Sequence, residues 1–366
     1  MKESLVQWTL LQNLDILSKS LNFNIAKKVG QEVTTDFGRI DFILEDDNQQ
    51  QLIVELETIL DSKSKQDYCF EQTRRYKNVS FSNNNTKYCI LYANETSQKA
   101  KNEIIKFGRN EQVDIKTYSL EEVKKLYTST IERLSLNVGL ALPNPKNYTI
   151  CFLRYLNKIL KPFMDYKKDF LQRKDFNTYF GSPKTDTNFN CYKRLALDFE
   201  MIIEEIKGYK LTNNGKDYIE NMNPNIFITN NVSSIDLTNE QKRLILKILT
   251  NGNWDNKIHK INIYWFMRFI EVTNGEWYPK KHLFDSDKLD IARGLFKVSY
   301  MSKTMQQLLN WCVNYCEELG LVGRIVSTTN YDQLFLTPLG IEVNNIFSMD
   351  LLLKKSRMNL NFKEFE

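Results

Sequence analysis

Apolar positions recur along the first third of the chain with two different periods. Over residues 4–20, Leu5, Trp8, Leu11, Leu14 and Leu17 follow at three-residue steps, with Leu10 and Ile16 widening the stripe, which predicts an amphipathic helix. Next come "KKVGQEVTT", "GRIDFILED" and "QQLIVELET", three strand-like segments with turn chemistry between them. "KQDYCFEQTRRYKNVSF" reads as a helix, "TKYCILYA" as a short buried strand, "SQKAKNEIIKFGRN" as a helix and "VDIKTYSL" as a last strand. This order predicts a mixed α/β domain, a sheet flanked by helices, of about 125 residues.

The pattern changes after "LALPNPKNYT" at 140–149, where two prolines in three positions break regular structure and close a first domain over 1–140. Beyond it the chain reads as mainly helical with short hairpins. Two stretches resemble each other. "KLTNNGKDYI" at 210–219 and "FLTPLGIEVN" at 335–344 each follow a helix, a glycine turn and a strand, and each opens a closing helix. A weak internal repeat of this kind predicts a duplicated unit. The order fits two winged-helix-like DNA-binding domains, over 146–228 and 235–366, although helix–hairpin–helix units also serve structural and dimerising roles.

Composition narrows the classes. The 366 residues are 42% hydrophobic and 26% charged, with 13 glycines and 7 prolines, so the chain reads as folded throughout. No apolar run approaches the roughly 20 residues of a membrane span, and Glu3, Gln7 and Gln12 interrupt the opening segment too often for a signal peptide. Six scattered cysteines, two histidines and no CxxC pair argue against zinc and for reduced thiols in a cytoplasm. Cys312 and Cys316 share a helix face and are expected in the core. A net charge of +5 permits a nucleic-acid partner without requiring one; a solvated mixed surface fits it equally.

The chemistry is concentrated in "GRIDFILEDDNQQQLIVELE", residues 38–57. Side chains alternate along a strand, so Glu55 and Glu57 point one way and Leu56 the other. The turn at "EDDNQQ" folds the second strand back and brings Asp41 near Glu55. Three close carboxylates repel one another and suffer raised pKa values unless a cation neutralises them. Hard oxygen ligands select Mg²⁺, with Mn²⁺ as substitute, and such an ion can activate water against a phosphodiester. The plainer alternative is an edge hairpin with its acids in solvent, against which the apolar "IDFIL" and "LIV" runs argue.

"VGQEVTTDFGRIDFILEDDNQQQLIVELE" followed by "EQTRRY" resembles the PD-(D/E)XK nuclease superfamily, closest to its RecB-like and archaeal mismatch-endonuclease branch. The resemblance spans roughly residues 1–125. It implies that Asp41 and Glu55 ligate the metal with the Leu56 carbonyl, and that Gln72 and Tyr76 face the site, orient it and contact DNA. The family usually has lysine where this chain has Glu57. Some restriction endonucleases carry glutamate there, so Glu57 is expected to hold a second cation or act as general base. Lys63 and Lys65, just downstream, are alternative sources of the ammonium. Arg74, Arg75 and Lys77 extend the Gln72 helix, either as phosphate contacts or as an ordinary solvated face.

Reading bases needs a helix in the major groove. In the first repeat the candidate is "KTDTNFNCYKRLALDF", with Thr187, Asn188, Asn190, Lys193 and Arg194; in the second it is "YMSKTMQQLLNW", with Ser302, Lys303, Gln306 and Gln307. One nuclease domain joined to two reading modules resembles a type II restriction endonuclease acting on double-stranded DNA. That layout implies a prokaryotic cytoplasm, a homodimer for double-strand cleavage and a companion DNA methyltransferase. The alternatives are a structure- or mismatch-selective repair nuclease and a non-cutting regulator on a dead nuclease scaffold.

Overall fold

Asn13 breaks the first apolar stripe. Its side-chain amide bonds back to the Thr9 carbonyl (2.8 Å) and across to Thr130 Oγ1 (2.9 Å), so the helix expected over 4–20 is two, α1 (Glu3–Leu11) and α2 (Leu14–Leu21). The protein is described here by a computed structural model, which describes residues 1–79, 85–139, 144–146, 152–180, 187–228, 232–273, 277–279, 286–326 and 331–359. The chain forms two compact units, Met1–Arg133 and Leu134–Glu366. No helix among the described residues is long and apolar enough to cross a membrane.

The first unit continues with β1 (Lys27–Thr35), β2 (Gly38–Glu45), β3 (Gln51–Glu57), α3 (Lys63–Tyr76), β4 (Thr86–Ala93), α4 (Gln98–Glu111), β5 (Asp114–Tyr118) and α5 (Leu120–Gly139). The strands lie in the order β1-β2-β3-β4-β5, antiparallel through β3 and parallel from β3 to β5. Helices cover both faces, so β3 is buried along its whole length. Leu52, Val54 and Leu56 pack on one side with Val6, Leu10, Leu17 and Val123. Ile53 packs on the other with Ile40, Ile43 and Tyr76. The expected strands and helices are present, and α5 is added. Its stripe of Leu120, Val123 and Thr130 is buried, and Glu121 pairs with Lys125 one turn on (2.8 Å).

The second unit is mainly helical. Its first half runs α6 (Leu156–Tyr166), β6 (Phe170–Gln172), α7 (Asn177–Phe180), α8 (Thr187–Asp198), β7 (Ile202–Glu205), β8 (Gly208–Leu211) and α9 (Asn213–Glu220). After α10 (Asn239–Leu249) the second half repeats it: α11 (Ile258–Val272), β9 (Trp277–Pro279), α12 (Ser286–Phe296), α13 (Ser302–Glu318), β10 (Val322–Ile325), β11 (Tyr331–Leu336) and α14 (Pro338–Asn359). In each half the last strand of the hairpin lies between the other two, in the orders β6-β8-β7 and β9-β11-β10. Cys312 and Cys316 are buried in the core, as expected.

The repeated "LTxxG" words carry one hydrogen-bond pattern twice. Thr212 Oγ1 accepts the Gly215 N–H at 3.0 Å and caps α9, while the Thr212 N–H donates to the Met201 carbonyl. Thr337 does the same for Gly340 (3.0 Å), with its N–H on the Leu321 carbonyl. Both glycines are required by close approach: an added Cβ would stand 2.1 Å from the Met201 oxygen at Gly215, and 2.0 Å from the Leu321 oxygen at Gly340. Within the proline stretch only 144–146 are described. They dock on the second half, where Lys146 exchanges two hydrogen bonds with the Asn262 side chain (3.0 and 2.8 Å) and the Pro145 carbonyl accepts from Tyr300 (3.1 Å).

Gly215→Ala and Gly340→Ala should each lower stability by about 1–3 kcal/mol through overpacking against backbone. Urea unfolding checks this; unchanged midpoints would mean that the two loops relax.

Candidate active site

The ladder between β2 and β3 ends where the acids begin. Phe42 pairs with Val54, which continues to place Asp41 opposite Glu55. There the Asp41 carboxylate replaces the backbone partner: its Oδ2 accepts the Leu56 N–H at 2.8 Å. The Gln7 amide of α1 donates to the Asp41 backbone carbonyl (3.3 Å). Asp41, Glu55 and Glu57 are 7%, 6% and 8% exposed, so these are not solvent-facing acids on an edge.

Burial sets the electrostatics. It pushes the Glu55 carboxyl well up from its ordinary value, with the Asp41 charge adding to it, against the opposing hydrogen bond from Tyr76. Burial and the neighbouring Glu3 raise Glu57 to about 7, while the Lys65 ammonium pulls the other way. Glu57 and Glu3 also share a hydrogen bond, which favours a proton held between them. Below the site, Cys69 is buried and its thiol is pushed well up by burial and by the charges of Glu55, Glu57 and Asp41.

α3 supplies the groups that face the acids. Ser62 caps it by accepting from the Lys65 N–H, and the (i, i+4) spacing sets Gln72 and Tyr76 on one stripe. The Tyr76 hydroxyl donates to Glu55 Oε2 at 2.9 Å and also lies on the Arg39 carbonyl. Burial raises its pKa strongly, which keeps it a donor. Gly38, at φ +136°, brings the β1–β2 turn against this stripe, where a Cβ would stand 3.6 Å from the Tyr76 ring and 3.9 Å from the Gln72 amide.

Asp41, Glu55 and Tyr76 therefore meet at one end of the β2–β3 ladder, with Glu57 two residues on along β3 and Gln72 on the Tyr76 stripe beside Gly38. Two groups escaped the sequence reading: Glu3 and Gln7, four apart on α1, both reach the site. Their spacing was visible, but nothing local says which strand they meet. Between the two alternative lysines, Lys63 pairs with Asp67 (3.1 Å) and Lys65 acts on Glu57.

Other candidates are engaged elsewhere. Arg74 pairs with Glu111 (2.8 Å) and lies over the Phe107 ring, Arg75 pairs with Glu71, and Lys77 bonds to Glu111. On α8, Lys193 pairs with Glu204 (3.2 Å) and Arg194 with Asp198 (2.8 Å). Asn188 lies on the same helix, with its side chain outside the described residues. At the start of α13, Ser302 and Lys303 are exposed and Gln306 and Gln307 half-buried, with Ser302 accepting from Arg293 (2.9 Å).

The donor set fits a small hard cation. Among the described residues no three histidine, cysteine or carboxylate side chains converge as a ready-made metal cage. Mg²⁺ does not need one, since it is commonly held by one or two carboxylates and completes its octahedron with water and substrate phosphate. Asp41, Glu55 and the Leu56 carbonyl supply that much.

No family model and no curated protein matches this chain. Among solved structures, a repair endonuclease from Pyrococcus abyssi matches at 13% identity and a TM-score of 0.25, over 32% of this chain and 47% of that one. The chain thus spans less than half of that protein, and a likeness at this level carries no argument about fold or activity.

Glu57 makes a pH prediction. Its carboxyl holds a proton to about pH 7 when folded, against an ordinary value of 4.5. The stability it contributes is full below that ordinary value and is lost as the pH rises through 7. In chelator-treated protein stability should therefore fall between about pH 5 and pH 8. The loss is on the order of 3 kcal/mol, at about 1.4 kcal/mol per pH unit. Glu57→Gln should flatten this part of the profile, as read by denaturant unfolding at several pH values.

Proposed function

We propose that this protein is a Mg²⁺-dependent endodeoxyribonuclease that hydrolyses phosphodiester bonds in double-stranded DNA, organised as a type II restriction endonuclease. The observation that carries the reading is the joint burial of Asp41, Glu55 and Glu57 at one end of the β2–β3 ladder. A fold pays heavily for three such groups together, and a phosphate-directed cation gives them a use.

A divalent cation on Asp41, Glu55 and the Leu56 carbonyl would stabilise charge on the scissile phosphate and acidify a bound water. The chain's own groups do the rest. Tyr76 donates to Glu55 and fixes that carboxylate's direction. The Leu56 N–H does the same for Asp41. Above a pH of about 7 Glu57 is the carboxylate able to take a proton from the attacking water, and Lys65 stabilises that charged form. Gln72, beside the β1–β2 turn, would position the substrate backbone.

The second unit supplies specificity in this reading. Helix, strand, helix, helix and hairpin, with the last strand in the middle, occurs twice, and this order supports the winged-helix reading. α13 then reads bases through Ser302, Lys303, Gln306 and Gln307, with lysine suited to guanine and glutamine to adenine. Double-strand cleavage would use a homodimer, and a companion methyltransferase would protect the host site.

Asp41→Ala and Glu55→Ala should each abolish cleavage in Mg²⁺ while leaving duplex affinity in chelator within a few-fold, as measured by digestion and by titration of labelled DNA. Near wild-type cutting by either variant would remove the proposed site. Glu57→Ala should lose on the order of 10²–10⁴ in rate as a general base; full activity would make it a bystander and leave Lys65 to be tested. Cleavage of mixed genomic DNA, with fragment ends sequenced, separates a defined cut sequence from structure-selective repair. Binding without any cutting is the outcome expected of a dead-scaffold regulator.

A further inference from the structure

The two repeated halves of the second unit hold each other by the same bond made twice in opposite directions. Asp198, the last residue of α8, accepts the His259 N–H at the start of α11 (2.9 Å). Glu318, the last residue of α13, accepts the Leu153 N–H just before α6 (2.6 Å). The four positions are equivalent in pairs. Asp198 and Glu318 each stand three residues before Met201 and Leu321, whose carbonyls receive the two repeated threonines. His259 and Leu153 each stand thirteen residues before the last residue of α11 and of α6, Val272 and Tyr166. Residue i of the first half thus bonds residue j of the second, and i of the second bonds j of the first. That is the signature of an isologous, two-fold interface.

Both joints are sheltered and reinforced. The Asp198 side chain is 1% exposed, and also meets His259 Nδ1 (2.7 Å) and Arg194 Nε (2.8 Å). Glu318 is largely buried, with Arg154 Nε at 3.6 Å. Lys257 ties the same seam by donating to the Leu197 carbonyl (3.0 Å). The C-terminal ends of α8 and α13 are consumed by the joint. At their other ends Asn190 of α8, and Ser302 and Lys303 of α13, are exposed.

We propose that the two halves form an internal two-fold dimer, through which a single chain reads one two-part, non-palindromic duplex site with fixed spacing between the parts. The inference rests on the DNA-reading function proposed above. In a dimer of identical subunits a two-fold interface imposes a palindrome. Here the two reading helices differ in sequence, "TNFNCYKRLALD" against "SKTMQQLLNWCVNYCEE", so the parts of the site differ too. The reciprocal joint ties the halves at two equivalent points, unlike two modules on a flexible tether.

The test is a selection of random duplexes by the full-length protein in chelator, with the stoichiometry of the selected complex measured by mass. One chain should hold one duplex bearing two unlike blocks at a constant separation. Inserting roughly five base pairs, half a helical turn, between the blocks should weaken binding at least tenfold. Lys303→Ala with Gln307→Ala should erase the preference in one block and leave the other. A palindrome bound by two chains, a single block, or equal affinity at any spacing would overturn the internal dimer while leaving DNA reading intact. Absence of any duplex binding would overturn the DNA-reading function and this inference together.

Discussion

Three carboxylates in a place with little water form the constraint around which the first unit is arranged. A buried ionised carboxylate without partners costs several kcal/mol, and close like charges add to that. β3 cannot relieve the cost by turning outward, because Leu52, Val54 and Leu56 hold its opposite face in the core. The relief comes from outside the strand pair. α3 brings the Tyr76 hydroxyl to Glu55, and the end of the ladder leaves the Leu56 N–H for Asp41. α1 brings Glu3 against Glu57, which replaces one charge by a shared proton. The helices that close the two cores are the ones that bring these groups.

These neutralising groups differ from a permanent salt bridge in what they leave open. A fixed arginine on Glu55 would have removed the strain and the chemistry together, since it would hold the carboxylate against any other cation. Tyr76 stays neutral and the Glu3–Glu57 proton is exchangeable, so the site keeps a capacity for positive charge. That capacity, rather than any ready-made cage, is what a cation arriving with its water and a phosphate would use. It also bears on Glu57. A carboxylate raised to about 7 is poised to take a proton near neutrality.

Much of this was legible in the chain because it is local. The alternation in "GRID" and "VELE" fixes which side chains share a face, and the spacing of Gln72 and Tyr76 fixes their stripe. The "LTxxG" words could be matched before their mechanism, a threonine cap with a glycine against a carbonyl, was visible. What escaped is what depends on partners far along the chain. Glu3 meets Glu57 across more than fifty residues, and Asn13 breaks its helix partly for Thr130 on α5. Arg74 and Arg75 of α3 read either as phosphate contacts or as a solvated face, and Lys193 and Arg194 of α8 as candidate DNA contacts. Glu111, Glu204 and Asp198, which engage Arg74, Lys193 and Arg194, come from elsewhere in the fold or from the next turn. α5 itself was readable in its apolar spacing and went unassigned beside the strand before it.

Repetition within one chain leaves each half of the second unit able to differ away from the joint. Two copies joined by the same bond in both directions use an acid in each, Asp198 and Glu318, although their surroundings differ. Among the described residues the bonds of the joint lie at the C-terminal ends of α8 and α13. A separate homodimer could not vary one copy alone, because each substitution appears on both sides of the axis. In a fused pair each half varies alone, while the reciprocal bonds are kept.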